Sequence, residues 1–357
     1  MIQANNVLEF LKANVWLTAL ASILFLFLMG ALFVFWVPNT VSRATELDVV
    51  VPRGASFRSV TDSLEVSGTL RVRWTFNLAG RIMGLTRDMK VGKYRFPAGL
   101  SNLEILQDLS EGTSRVPIAV TIPEGWRIER IAIRYSQHLG IDTETFINLC
   151  RSERYVRSLG IDAESLEGYL MPDTYRFFWQ TEEREIIERM LNEFKSFFVD
   201  SLKSRQKGMN MSLNQVLTLA SIVEGETSLD RERTTVAGVY HNRLKRRMRL
   251  EADPTIQYIV PDGPRRLLYS DLKIDSPFNT YRNYGLPPAP IGSPGRLSIL
   301  ATLYPERHSY LFFVADGTGG HKFSRNYAEH QRAVREWRRA RRELQQQAAR
   351  NADPTGG

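Results

Sequence analysis

The stretch from Val15 to Val37, VWLTALASILFLFLMGALFVFWV, constrains this chain more than any other: about 23 residues without a charge, enough to cross roughly 30 Å of hydrocarbon as one helix. Trp16 and Trp36 stand near its two ends, where interfacial aromatic anchors sit, and Pro38 followed by Asn39 offers an exit. A helix buried in a globular core is rarely apolar on every face. A cleaved leader would have a shorter apolar core followed by an A-x-A-like site, and none follows here. A retained span over residues 15–37 is therefore expected. Its flanking charges do not orient it, with Lys12 and the α-amino group against Glu9 on one side and Arg43 on the other.

The rest of the 357 residues, in a chain that is 43% hydrophobic, is long enough for a sizeable core and for two globular units, which excludes a disordered or fibrous protein. A net charge of +8 suits an anionic partner: nucleic acid, a lipid surface or an acidic polymer. Much of the excess lies between Arg332 and Arg342, six arginines against the single Glu336. Only Trp337 interleaves them, so a solvated terminal helix is expected there and no nucleic-acid partner. The lone Cys150 excludes an intramolecular disulfide and a thiolate-rich metal site. His138, His241, His308, His321 and His330 are scattered and form no HExxH pattern, so no metal and no cofactor is expected.

Beyond the span, short apolar runs alternate with turn residues. Val49–Val51 reads as a strand, Phe57–Leu64 as a short helix, Val91–Phe96 as a second strand and Asn102–Leu109 as a helix. Two strands and two helices in so small a unit suggest a compact α+β module over residues 47–114. A larger mixed α/β domain follows over 115–345, with a strand and turn at PIAVTIPEG, helical periodicity from Ile186 to Phe198 and again from Leu213, and a buried strand at Ser309–Ala315. The fold class expected is α+β, preceded by the transmembrane helix. Residues 1–14 would precede the span, and 346–357 would be a disordered tail.

The helix opening at Ser212 carries a capping box, Ser212 with Gln215. Leu217, Ala220, Ser221 and Glu224 then fall at i, i+3, i+4 and i+7, which puts the Glu224 carboxylate on the same face as apolar positions. Desolvation there would raise its pKa and keep it protonated as a general acid near neutral pH. The plainer alternative is a helix-end glutamate pointing to water. Glu226 is two residues on, on the opposite face, and is expected to be solvated. DPTIQY from Asp253, SPFNTY from Ser276 and GLPPAPIGSPG from Gly285 combine turn formers, amides, hydroxyls and aromatic rings, the surface chemistry that binds sugars. The same composition also serves an ordinary loop whose path is set by prolines.

LEGYLMPDTY (Leu166–Tyr175), LASIVEGET (Leu219–Thr227), VAGVYHNRL (Val236–Leu244), LEADPTIQY (Leu250–Tyr258), FNTY and GLPPAPI together resemble the YceG-like family of endolytic murein transglycosylases, in consistent order over nearly all of the chain after the span. The resemblance implies a LysM-like module over 47–114 and a catalytic domain over 115–345 whose catalytic glutamate is Glu224. It also implies a cytoplasmic amino terminus, a single span of the cell inner membrane and C-terminal domains in the periplasm. Peptidoglycan glycan strands would be the substrate, and a penicillin-binding peptidoglycan synthase is implied as a partner. Substrate positioning would fall to Tyr175, Asp253, Thr255, Tyr258, Asn279, Thr280 and Tyr281. Gly225 stands where the family commonly has lysine, and Met171 where it commonly has an aromatic. Two other readings stay open: a hydrolytic muramidase with Asp253 as a second carboxylate, and a noncatalytic peptidoglycan-binding scaffold.

Overall fold

A computed structural model describes residues 15–39, 44–261, 263 and 265–352. The expected cytoplasmic segment 1–14 lies outside them. The described chain is α+β, with two compact units: one comprises Met1–Ala119 with His138–Gly140 and Arg176–Thr181, the other Val120–Gln137, Ile141–Tyr175 and Glu182–Gly357. Three two-stranded sheets, pairing β1 (Glu46–Val51) with β2 (Gly92–Pro97), β3 (Ile118–Thr121) with β4 (Thr174–Phe177), and β5 (Phe312–Ala315) with β6 (His321–Ser324), are set among helices.

In the first unit α1 spans Val15–Phe35, long and apolar enough to cross a membrane and with its apolar surface almost wholly uncovered. Strands β1 and β2 run antiparallel with Val49 opposite Tyr94 and Leu47 opposite Phe96. Each strand alternates buried and exposed residues, so one face of the ribbon is free to cover a core. That core is closed by α2 (Phe57–Val66), α3 (Arg73–Met83) and α4 (Asn102–Glu111). Helix α2 starts where Ser56 accepts from Ser59 N. Helix α4 starts on a full capping box of Ser101 and Glu104 and stops at Gly112, whose φ of 77° is open to glycine. Val60, Leu64, Phe76, Tyr94, Phe96, Ile105 and Leu109 fill the interior, and Val34 of α1 enters the same cluster. Burying each such side chain contributes about 1.5–3 kcal/mol. Helix α3 is the element that the sequence pattern did not place.

The second unit carries α5 (Ile128–Leu139), α6 (Thr143–Arg151), α7 (Glu153–Ser158), α8 (Glu183–Phe197), α9 (Asp200–Gly208), α10 (Leu213–Glu226), α11 (Asp230–Lys245), α12 (Asp253–Ile259), α13 (Arg296–Leu303) and α14 (Tyr327–Ala352). Helix α10 starts on the expected capping box of Ser212 and Gln215 and is buried continuously from Val216 to Val223. Its Leu219, Ile222 and Val223 pack with Val236, Ala237 and Tyr240 of α11 and with Leu250, Ala252, Ile291 and Ala301. A helix covered on all sides is held rigidly, and its last turn carries Glu224.

Two sequence expectations are corrected. The segment Ser309–Ala315 is not a buried strand: β5 begins at Phe312 and pairs only with β6, and its residues are half-buried or exposed. Residues 346–352 of the expected disordered tail continue α14, while 353–357 lie outside the described residues.

Candidate active site

Glu224 is held at both oxygens. Arg233 Nη1, from α11, donates to its Oε1 at 2.9 Å, and the backbone N–H of Gly295 donates to Oε2 at 2.9 Å. Gly295 is the N-cap of α13, so its N–H has no partner inside that helix and is free to bind a carboxylate. Arg233 is fixed in turn: Nη1 also donates to Ser298 Oγ at 2.5 Å, and Nε to Asp230 Oδ1 at 3.0 Å. The side chains of Arg233 and Glu224 are only 6% and 9% exposed. Desolvation was legible from the helix phase, whereas the guanidinium was not.

The fourth wall is the turn TIPEGW. Gly125 N donates to Ser293 O at 2.7 Å and Ser293 N to Trp126 O at 2.8 Å, a reciprocal pair that locks this turn onto the Gly292–Gly295 loop. The approach requires glycine on both sides. Gly125 has φ +75°, and a Cβ on Gly292 would meet Gly125 O at 2.6 Å. Ser221 Oγ, one turn before Glu224, donates to Thr218 O and accepts from Ile291 N at 3.0 Å, tying the same loop to α10. The turn delivers Glu124, whose Oε2 lies 3.7 Å from Arg233 Nη2. Burial, and then the neighbouring Glu224 charge, push the Glu124 carboxyl above the usual range, with Arg233 opposing. The sequence offered no signal for Glu124, which sits 100 positions from its partner.

Beside this centre opens a cavity of about 700 Å³, lined by Gly125, Arg127, Ser221, Gly225, Glu226 and Asp253 among others. A cleft of this size takes a ligand of two or so rings. Glu224 itself is not in the lining; its neighbours Ser221, Gly225 and Glu226 are. Glu226 is not solvated as the helical phase predicted. Its Oε1 accepts from the buried Tyr240 hydroxyl at 2.5 Å, and burial, helped by Asp253, pushes its carboxyl up to about 7. Tyr240 of α11 packs against that side of the helix end and half-buries Glu226, which still lines the cavity. Gly225 lines the cavity where the family commonly has lysine, and a Cβ there would meet Pro254 Cβ at 2.7 Å.

The expected positioning residues divide. Asp253 lines the cavity and accepts from Tyr281 OH at 2.6 Å. Tyr258 stacks under the Arg127 guanidinium, 4.4 Å from ring to Cζ, and Arg127 also lines the cavity. Of the seven only Asp253 is in the lining; Tyr258 and Tyr281 touch lining residues Arg127 and Asp253, and the other four do neither. Thr255 and Thr280 are buried and share a hydroxyl hydrogen bond of 2.9 Å, with Thr280 also accepting from Ala252 N. Asn279 is fully buried and donates to Leu272 O and Ile274 O while accepting from Tyr281 N. The Tyr175 hydroxyl donates to Met171 O at 2.6 Å, in the interior. Thr255, Thr280 and Asn279 thus tie together the segments that carry Asp253 and Tyr281, while Tyr175 ties β4 to the segment at Met171. Among the described residues no group of three or more His, Cys, Asp or Glu side chains is placed to hold a metal ion.

The site is thus a carboxyl-rich centre at the end of a rigid helix, beside an open cavity. The chain belongs to the YceG-like family, whose sequence model matches residues 49–336. It is 33% identical over 305 residues to an endolytic murein transglycosylase of Bacillus subtilis strain 168, covering 81% of this chain and 84% of that protein. It is 30% identical over 322 residues to the endolytic murein transglycosylase of Streptococcus pneumoniae strain R6, where it spans 58% of that longer protein. A crystal structure of a YceG-like protein from Listeria monocytogenes superposes with a TM-score of 0.57 at 29% identity, covering 81% of this chain and 98% of that one.

Proposed function

We propose that this protein is a membrane-anchored endolytic lytic transglycosylase that cuts nascent peptidoglycan strands between N-acetylmuramic acid and N-acetylglucosamine. The observation that carries the reading is Glu224, the carboxyl at the end of the buried α10, fixed by Arg233 and Gly295 beside the cavity in a chain of the YceG-like family. In this reading Glu224 protonates the glycosidic oxygen as the C1–O bond breaks, and the substrate's own N-acetyl group stabilises the cationic centre. The carboxylate then accepts the proton of the muramoyl C6 hydroxyl as that oxygen attacks C1, leaving a 1,6-anhydro end and consuming no water. Asp253 and Tyr281 would orient a sugar by hydrogen bonds.

Helix α1 would hold the enzyme in the cell inner membrane with both units in the periplasm, so that it meets only strands close to the bilayer, next to a penicillin-binding synthase. The small unit would be a LysM-like glycan-binding module over 47–114, ahead of the catalytic domain over 115–345. Strand elongation would be limited by such cuts. Asp253 also lies open in the cavity, where a second carboxylate of a muramidase would be, and the two chemistries leave different ends. The test is mass spectrometry of sacculi digested by the full chain in detergent, beside Glu224→Gln. Anhydro-muramoyl ends that vanish in the variant support the transglycosylase. Reducing ends would replace it with a muramidase, and cleavage that survives Glu224→Gln would remove Glu224 from the chemistry.

A further inference from the structure

A glycosidic oxygen has to be given a proton, yet both oxygens of Glu224 already accept, from a guanidinium and a backbone N–H, which are partners for an anion. Glu124 supplies a second carboxyl at the same point. It lies against the Cα of Gly295, so close that any Cβ at that position would overlap its carboxylate, and it shares Arg233 and Gly295 with Glu224: Glu124 Oε2 is 3.7 Å from Arg233 Nη2, and Glu224 Oε1 is 2.9 Å from Nη1. At 44% exposed against 9% for Glu224, it is the more open of the two carboxyls. The charged groups that face it are Glu224 from α10 and Arg233 and Asp230 from α11.

We propose that Glu124 and Glu224 form a catalytic dyad that holds one proton between them, with Glu124 as the carboxyl facing the substrate. This rests on the glycan-cleaving reading above and departs from it in giving the proton to a pair. Two carboxyls gathered on one guanidinium do not both ionise freely, because each charge disfavours the other, and a proton is the simplest way to relieve that repulsion. The burial that lifts the Glu124 carboxyl acts in the same direction. The proton passes to the leaving oxygen as C1–O breaks. The C6 oxygen then bonds to C1, and its proton returns to the dyad. One proton leaves and one arrives, with no water and no further reactant. Arg233 balances the remaining negative charge throughout, and Gly295 keeps open the space that the Glu124 carboxylate fills.

The experiment compares the full chain in detergent with Glu124→Gln, Glu124→Asp and Glu224→Gln, following sacculus cleavage from about pH 4.5 to pH 8.5, a window bracketing the carboxyls concerned. Glu124→Gln is expected to melt at the wild-type temperature, to lose about 10²-fold or more in kcat with KM little changed, and to shed its residual activity at lower pH than the wild type. Glu124→Asp should recover part of the rate. Wild-type rate and pH profile in Glu124→Gln would overturn the dyad. So would a uniformly slow variant with an unmoved profile, the signature of a merely structural role. Independently of cleavage, carbon-13 NMR of labelled glutamates should show the Glu124 midpoint falling by about half a pH unit or more in Glu224→Gln. A midpoint indifferent to residue 224 refutes the pair. Reducing ends from the wild type, or cleavage by Glu224→Gln, would break the transglycosylase reading instead, and the NMR titration would still decide the dyad.

Discussion

Replacing Arg233 with Met tests how much of the candidate site is held by one guanidinium. The side chain is 6% exposed and faces a Glu224 side chain 9% exposed, so the pair is effectively interior. Methionine keeps most of the volume and removes the charge together with hydrogen bonds to Glu224, Asp230 and Ser298. Breaking a buried ion pair from one side costs about 3–5 kcal/mol, since the remaining carboxylate is left uncompensated. The pair with Asp230, whose side chain is 66% exposed, adds at most about 1 kcal/mol. At neutral pH the melting temperature should fall by roughly 6–20 °C, read by calorimetry on the detergent-solubilised chain. Adding Glu224→Gln to Arg233→Met should return a large part of that loss, because the uncompensated charge is then gone. A drop below about 2 °C, or a double variant whose loss is the sum of the two single losses, would refute the claim that this charge pair holds the site together.

Two further outcomes follow from the geometry. Gly295 has φ −73° and ψ 167°, a backbone any residue adopts, so Gly295→Ala should fold normally and keep its N–H on Glu224 while displacing the Glu124 carboxylate; its sacculus-cleaving rate should fall as far as that of Glu124→Gln, and a fully active Gly295→Ala would contradict this. Burial raises the Glu167 carboxyl from 4.5 to about 8, so the folded chain holds a proton that the unfolded chain sheds. That contribution is fully present below the unfolded value and is lost as pH rises through the folded one, at most on the order of 5 kcal/mol. Glu167→Gln should therefore flatten the decline in melting temperature between pH 4.5 and about 8, and an unchanged slope would show that Glu167 is not the group responsible.

What the sequence made legible was local. Ser212 and Gln215 announce the start of α10, the run Asn102–Leu109 gives the body of α4, and the phase from Leu217 to Glu224 puts that carboxylate against the interior. The partners of Glu224 were not legible because they come from three distant segments: Arg233 from the next helix, Gly295 from a loop 71 residues on, and Glu124 from a turn 100 residues back. No periodicity encodes such meetings. Glu226 was misread because a helical phase cannot show that Tyr240 of the next helix packs on the opposite face and donates its hydroxyl to that carboxylate. The partners of Thr255, Asn279 and Thr280 were not legible for another reason: hydroxyls and amides in a proline-rich stretch bind backbone as readily as sugar, and here they bind backbone and each other.

The end of α1 has a mechanical consequence. Val34 lies in the core of the small unit, the Asn102 side chain donates to Val34 O, and Asn39 N donates to Leu100 O. The helix is therefore spliced to the folded unit without a hinge, and torque applied to one passes to the other. Inserting one alanine ahead of Val34 would turn the preceding helix by about 100° relative to the small unit. An apolar surface that is uniform around its axis would give a bilayer no face to prefer, so under the proposed anchoring such a twist would meet no resistance from the surroundings. The azimuth of the small unit is then set by its own splice with α1, like the setting of a key on its shaft.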